Sequence, residues 1–237
     1  MPQNPVLLDI DTAIGIATIT LNRPEALNVL DEALCTYLRD ALDQVESDRH
    51  VRAVVLQGAG LHFMAGGDVR RFHAALEQAP VDRSQWFEQL IASAHESILR
   101  IRCMEKPVLA SVRGAVAGFG FSLMNSCDLA VAAEDAYFTM AYCNIGTSPD
   151  GSGTYGLPRI VGLKRAMEIA LLGERFNARQ AHEFGLVNRV VPATALADTT
   201  RSLAMRLAAG PTQALGRTKR LLNESLNRTL VEQLQAE

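Results

Sequence analysis

The chain has 237 residues, 48% of them hydrophobic, and a formal net charge of -3. That is apolar material for one large core and excludes a disordered chain, while the slight negative charge offers nucleic acid no basic surface. No run reaches the ~20 apolar residues that a membrane helix needs.

The start, Met1 to Ile10, has no basic stretch followed by an apolar one. No signal peptide is expected, and the chain reads as cytoplasmic. Four cysteines (35, 103, 127 and 143) and five histidines lack metal-ligand spacing, so no metal is expected. The cysteines read as reduced and mostly buried.

Ile14 to Leu21 is β-branched and alternating, which predicts a strand ended by Pro24. Asn28 is placed to cap a helix. Leu30, Leu34, Leu38, Ala41, Leu42 and Val45 recur at helical spacing through Glu46. Val51 to Leu56 is the next strand, and a first glycine turn, Met64-Ala-Gly-Gly-Asp68, follows it. His62 before that turn reads as a surface residue, and Asp68 as a helix cap. The charged stretch Phe72 to Glu88 reads as mobile or solvated. Ser84 to Met104 is an amphipathic helix with Phe87, Leu90, Ile91, Ala94, Ile98 and Ile101 on one face.

Val108 to Val112 is a short buried strand after Pro107. It runs into a second glycine-rich turn and a helix from Gly118 to Cys127. Leu129 to Ala133 is a strand. Gly162 to Leu172 is a helix closed by Gly173, Ala178 to Phe184 a short helix, and Val187 to Val191 a last strand stopped by Pro192. Ala193 to Glu237 has no strand pattern and reads as two or three helices, with Pro211 at a helix start. The expected organisation is an α/β core over 1–192 and a helical region over 193–237. Strand, glycine turn and helix occur in that order twice. Such turns leave backbone N–H groups unpaired, and two that converge can hold an oxygen on which negative charge develops.

Five motifs occur in one order: Asn22-Arg-Pro-Glu-Ala-Leu-Asn28; Ala65-Gly-Gly-Asp68; Lys106-Pro-Val-Leu-Ala-Ser-Val-Arg-Gly114 leading to Gly118; Leu157-Pro-Arg-Ile-Val-Gly162; and Ala181-His-Glu-Phe-Gly-Leu-Val187. With them the chain resembles the crotonase family, the enoyl-CoA hydratase/isomerase superfamily, over roughly residues 5–232. The resemblance implies a crotonase-like α/β spiral of ββα turns with a C-terminal helical region for oligomerisation. It implies an acyl-CoA thioester as ligand, with CoA part of the substrate and no separate cofactor. It also implies a homotrimer or a dimer of trimers.

By motif position the thioester oxygen would be held by the backbone amides of Gly67 and Phe119. Relatives usually have glycine at the second place; the N–H survives the change, but a phenyl ring there is expected to crowd the acyl space. Arg23 and Ala26 sit where relatives touch the CoA nucleotide; Arg23 either meets a phosphate or lies along the surface. The resemblance assigns Ala65, Asp68, Val69, Gly118, Ser122 and Tyr142 to the substrate and CoA surface. A further helix in relatives brings a basic residue to CoA in a neighbouring subunit. Residues up to Glu237 do not contain it, which leaves open both the tail contacts to CoA and the way a trimer closes.

The hydratases of the family use two glutamates, whose positions here hold Ser122 and Tyr142. Neither is a carboxylate: serine without a base is a poor proton acceptor, and tyrosine ordinarily titrates near ~10. The remaining carboxylate is Asp150, in Ser148-Pro-Asp-Gly151. That tetrapeptide is also an ordinary β-turn sequence. If the turn presents its carboxylate, Asp150 can take a proton beside the thioester and return it two carbons along, as an enoyl-CoA isomerase requires. Hydration with an unusual base, another crotonase-type lyase reaction, aromatic dehalogenation by attack of Asp150, and a non-catalytic acyl-CoA-binding scaffold are the alternatives.

Overall fold

The computed structural model describes residues 4–237. Its centre is a six-stranded sheet of β1 (Val6–Asp11), β2 (Ile16–Leu21), β3 (Ala53–Gly58), β4 (Val108–Val112), β6 (Leu129–Ala133) and β9 (Arg189–Val191), in the order β1-β2-β3-β4-β6-β9. Only β1 is antiparallel to its neighbour. A second sheet holds β5 (Ala115–Ala117), β7 (Tyr137–Thr139) and β8 (Phe176–Asn177), in the order β5-β7-β8.

Each central strand is apolar along its length because both of its faces are covered. Val54, Leu56, Ala110 and Ala132 face a core completed by Leu34, Leu38 and Leu42 of α1 (Glu32–Ser47) and Ile98 and Ile101 of α3 (Pro80–Cys103). Their neighbours Ala53, Val55, Leu109 and Val131 face the other way, onto Leu196, Leu203, Ala204 and Ala208 of α8 (Leu196–Ala209). Residues 193–237 otherwise form a short 3-10 turn, α9 (Thr212–Ser225) and α10 (Leu230–Ala236).

The chain climbs as a spiral. β4 leads into β5 and β6 into β7, so these two large-sheet strands are each followed by a short strand of the second layer. β3 does the same with an isolated parallel bridge, Met64 to Val116, and the bridge Leu30 to Gly67 adds one more rung. The rungs place the two glycine turns one above the other.

Several expectations are corrected. The strand expected from Ile14 starts at Ile16, because Gly15 turns at φ 73° to begin it. Asn28 does not cap α1; Asp31 does, accepting from Leu34 N–H at 2.9 Å. Asn28 is instead fully buried in a left-handed conformation, φ 55°. Its Nδ2 donates to the carbonyls of His62 (2.8 Å), Ala59 and Phe63 (both 3.1 Å), and its Oδ1 accepts from Arg23 N–H at 2.8 Å. One amide thus ties the first motif to the loop before the glycine turn.

The stretch Phe72 to Glu88 is ordered: α2 (Val69–Ala75) ends within it and α3 begins at Pro80, four residues before the predicted start. Trp86 packs edge-on against Phe72 and Phe87, which are tilted to each other, with centroids 4.8–6.2 Å apart. Trp86 also donates to Glu32 at 2.8 Å. α5 (Gly153–Val161) was not expected, since its glycines and Pro158 argue against a helix until packing on α4 (Phe119–Ser126) and α6 (Leu163–Leu172) overrides them. The last strand begins at Arg189 rather than Val187. His62 is half-buried, and its Nδ1 accepts the Ala115 N–H at 3.0 Å. All four cysteines are free, but Cys103 and Cys143 are exposed.

Asn28→Ala removes one side chain and leaves buried carbonyls without a donor, each costing about 1–3 kcal/mol. Urea unfolding of this variant should show a stability loss of roughly 2–4 kcal/mol, whereas Asp31→Ala should cost about 1 kcal/mol, as a helix cap.

Candidate active site

The first glycine turn is held by hydrogen bonds on either side of Gly67. Leu30 N–H donates to Gly66 O at 2.8 Å, and Asp68 N–H donates to Leu30 O at 2.9 Å. In a parallel bridge the residue between those two bonds points its own N–H the other way. The Gly67 N–H takes no acceptor among the described residues.

The second turn is built similarly. Ala117 N–H donates to Met64 O at 2.9 Å and Gly118 N–H to Thr139 O at 3.1 Å. Gly118 then adopts φ 52°, ψ -123°, a combination that side chains forbid, and α4 starts at once. Phe121 and Ser122 N–H bond back to Gly118 O, and the Phe119 N–H, at the helix start, takes no acceptor among the described residues. The turns touch: a Cβ added to Gly66 would lie 3.6 Å from Gly118 Cα and 3.8 Å from Phe119 N.

Above them opens a cavity of about 670 Å³. Of the residues predicted for the site, Ala65, Gly67, Val69, Gly118, Phe119, Tyr142 and Asp150 line it. Most of the remaining wall is apolar: Leu30, Phe72 and Leu76, and the α3 residues Phe87, Leu90, Ile91 and Ala94. These α3 positions carry helical spacing in the sequence, which reads as core; that part of the face borders a cavity is set by the neighbouring turns. The Phe119 ring reaches the wall, but its edge lies under Gly151, where a Cβ would come within 2.8 Å of it. It supports the aspartate turn rather than only narrowing the acyl space.

Asp150 sits at the cavity wall and is held from three elements. The Tyr142 hydroxyl, from the 3-10 turn Tyr142–Ile145, donates to Oδ1 at 2.5 Å. Ser122 Oγ, from α4 and fully buried, donates to the Asp150 carbonyl at 3.0 Å. The next peptide, Gly151 N–H, donates to His95 Nε2 of α3 at 3.2 Å. No spacing in the sequence singles out His95. Burial raises the Asp150 pKa above the ordinary aspartate value, against the opposing Tyr142 hydrogen bond and His95. Burial and the neighbouring Asp150 charge push Tyr142 well above its usual range, so it stays a phenol and a donor.

The remaining predicted residues lie outside the cavity lining. Arg23 neither lies free on the surface nor extends away; it pairs with Asp31 at 2.9 Å, donates to Val29 O at 2.9 Å and lies 3.7 Å from Asp68. Asp68 is 6% exposed and caps α2 through the N–H groups of Arg70 (3.2 Å) and Arg71 (3.4 Å). Ala26 lies in the 3-10 turn Pro24–Ala26 on the same edge. Ser122 reaches the site only through Asp150 and Tyr142.

Two touching backbone turns and one partly buried carboxylate thus border a single, largely apolar cavity. The family model for enoyl-CoA hydratase/isomerase matches residues 11–237. The chain is 39% identical to the 1,2-epoxyphenylacetyl-CoA isomerase of Escherichia coli K12, over 94% of this chain and 84% of that protein. It is 34% identical to 4-chlorobenzoyl coenzyme A dehalogenase-2 of an Arthrobacter species, over 94% and 80%. The crystal structure of an enoyl-CoA hydratase from Mycobacterium smegmatis superposes with a TM-score of 0.91 at 35% identity, covering 99% of this chain and 88% of that one. The chain therefore belongs to the enoyl-CoA hydratase/isomerase family, the crotonase superfamily, and is an acyl-CoA-processing enzyme. Among the described residues no helix is long and apolar enough to cross a membrane.

The raised pKa of Asp150 makes a stability prediction. Folded Asp150 holds its proton more tightly than the unfolded chain does, so between the two pKa values the native state binds more protons. Stability then falls as pH rises from the unfolded aspartate pKa, near ~3.9, through the folded one. Asp150→Asn removes that penalty and can keep the Tyr142 hydrogen bond. Its Tm should exceed that of the parent at pH 7 and not below pH ~4, each kcal/mol relieved appearing as roughly 2–4 °C in calorimetry.

Proposed function

We propose that the protein is an enoyl-CoA isomerase, moving a double bond along an acyl-CoA by proton transfer through an enolate. The single observation that carries this reading is the pairing of one partly buried carboxylate, Asp150, with two amides that take no acceptor among the described residues, all bordering the same cavity. The thioester oxygen sits at the Gly67 and Phe119 N–H groups, as the resemblance to relatives suggests. The α4 start adds its positive end to the same place. Asp150 takes a proton from the carbon next to the thioester, negative charge moves to the oxygen, and the same carboxyl returns the proton two carbons along. The step moves one proton and consumes no water, so one acid/base group suffices. CoA is only the handle of the substrate.

The raised pKa supports Asp150 as a base, since a carboxylate in water is too weak for the task. The absence of carboxylates at 122 and 142 argues against two-glutamate hydration. The isomerase named among the relatives favours the same class. The apolar wall of Phe72, Phe87, Leu90 and Ile91 suits a hydrocarbon or ring. Arg23 and Ala26 stand at the edge assigned to the CoA nucleotide, with Arg23 able to turn from Asp68 to a phosphate. Exposed Leu163, Met167, Leu171 and Leu172 on α6 and Leu226, Leu230 and Leu234 near the chain end support a homotrimer or dimer of trimers as the assembly.

The purified protein should convert 3-enoyl-CoA to its conjugated 2-enoyl isomer, followed by the absorbance of the conjugated thioester. Asp150→Asn should lose ~10²–10⁴-fold in kcat. Equal rates for the two proteins reject Asp150 as the proton carrier. An ester trapped on Asp150 during turnover of a halogenated aromatic thioester would replace isomerisation with displacement chemistry.

A further inference from the structure

We propose that Tyr142 and Ser122, standing where the family's hydratases carry glutamates, are positioning residues that fix Asp150 so that its Oδ2 is the oxygen that handles the proton. This rests on the isomerase reading above. Its basis is how the aspartate turn is held. Residues 146–151 form no regular element, and the fixed points around Asp150 come from elsewhere in the chain. The Asp150 carbonyl accepts Gly153 N–H at 2.9 Å and Ser122 Oγ at 3.0 Å. Thr147 N–H, at the start of the same turn, donates to the carbonyl of Tyr142 at 3.1 Å. Tyr142 therefore grips the turn by its main chain and Asp150 by its side chain.

The final torsion of an aspartate is broad and nearly two-fold, so an unheld carboxylate presents either oxygen. The hydrogen bond from Tyr142 to Oδ1 breaks that symmetry. Oδ2 takes no donor among the described residues and is left for substrate. The tyrosine also stabilises the charged carboxylate, opposing the rise that burial imposes on the Asp150 pKa. Ser122 bonds the Asp150 main chain and also meets the Tyr142 hydroxyl, so it places the turn and reaches the charge only through the phenol. Two positions that carry the acid/base groups in hydratases thus support a third.

The ionisable groups around Asp150 are Tyr142 from its turn, His95 from α3, Cys35 from α1 and His73 on the α2 wall of the cavity. Burial pushes the Cys35 thiol up to about 12, so it stays neutral. His95 is the group besides Tyr142 that acts on Asp150, and a His95→Gln background separates its effect.

The test follows Asp150 directly by carbon-13 NMR of labelled enzyme, with Asp150→Asn identifying the signal, beside steady-state kinetics. In Tyr142→Phe the Asp150 midpoint should rise by about one to two pH units, with and without His95→Gln, because a donor to a charged group is lost. The acid limb of kcat should move with it. At its plateau kcat should fall on the order of 10²-fold with KM little changed. Ser122→Ala should lower kcat and move the midpoint far less than Tyr142→Phe does, because its hydroxyl reaches the carboxylate only through the phenol. An Asp150 midpoint that stays put in Tyr142→Phe overturns the proposal, whatever the rate does. If Tyr142→Phe does not fold, 3-fluorotyrosine at 142, a stronger donor of the same shape, should lower the midpoint, and an unmoved midpoint is again the overturning result. Full activity of Asp150→Asn would sink the isomerase reading itself, whereas an inactive Asp150→Asn beside an unmoved Tyr142→Phe midpoint sinks only the clamp.

Discussion

The site depends on how two single-residue bridges use the main-chain hydrogen bonds around them. Leu30 takes the carbonyl before Gly67 and the N–H after it, and Met64 does the same on either side of Val116. A strand of ordinary length would pair every second residue on each side. These rungs stop after one residue and leave the Gly67 N–H without an acceptor among the described residues. Gly118 completes the arrangement with a backbone conformation open only to glycine, and α4 begins at once with an unpaired first N–H beside the same cavity. The large sheet below sets the spacing between rungs. Asn28 fastens the entry to the first turn from a position more than thirty residues earlier.

The carboxylate shows the opposite economy. Asp150 is buried at a cost to the folded state, and the surrounding groups reduce that cost without removing it. A phenol that cannot ionise, a main-chain tether and a histidine nitrogen all meet one short turn from three directions. Such a group is held in place by the rest of the molecule rather than by its own sequence neighbours. The acid/base role proposed for it needs a perturbed proton affinity and a fixed position together.

Much of the large sheet and its helices is legible in the sequence. β3 and β4 are mostly apolar runs with glycine or proline at one end, β6 is an apolar run between Asp128 and Glu134, and α1 and α3 carry unmistakable helical spacing. The glycine turns stand out for the same reason that they work, since only glycine permits their geometry. The second layer is hidden because β5, β7 and β8 have two or three residues each, too few for any period to appear. α5 is hidden by its own glycines and Pro158. Asn28 misleads because asparagine before an apolar helix is a good cap on local grounds, and what it does instead depends on carbonyls of residues 59–63. Phe72 to Glu88 misleads through its charge: Glu32, on another helix, pairs with Arg71 and Trp86 and orders the segment. In the site, Asp150 and the turns can be read from the chain, whereas His95 and the grip of Tyr142 come from long-range packing that no spacing records.

Trp86 is the chain's one tryptophan. Its indole leans on Phe72 and Phe87, both on the cavity wall, and is anchored through its nitrogen to Glu32. The protein therefore carries its own optical probe next to the acyl space. Emission from this indole reports on the wall formed by α2 and α3 without any label, and a thioester that displaces Phe72 or Phe87 would register in its colour and intensity before any product is formed.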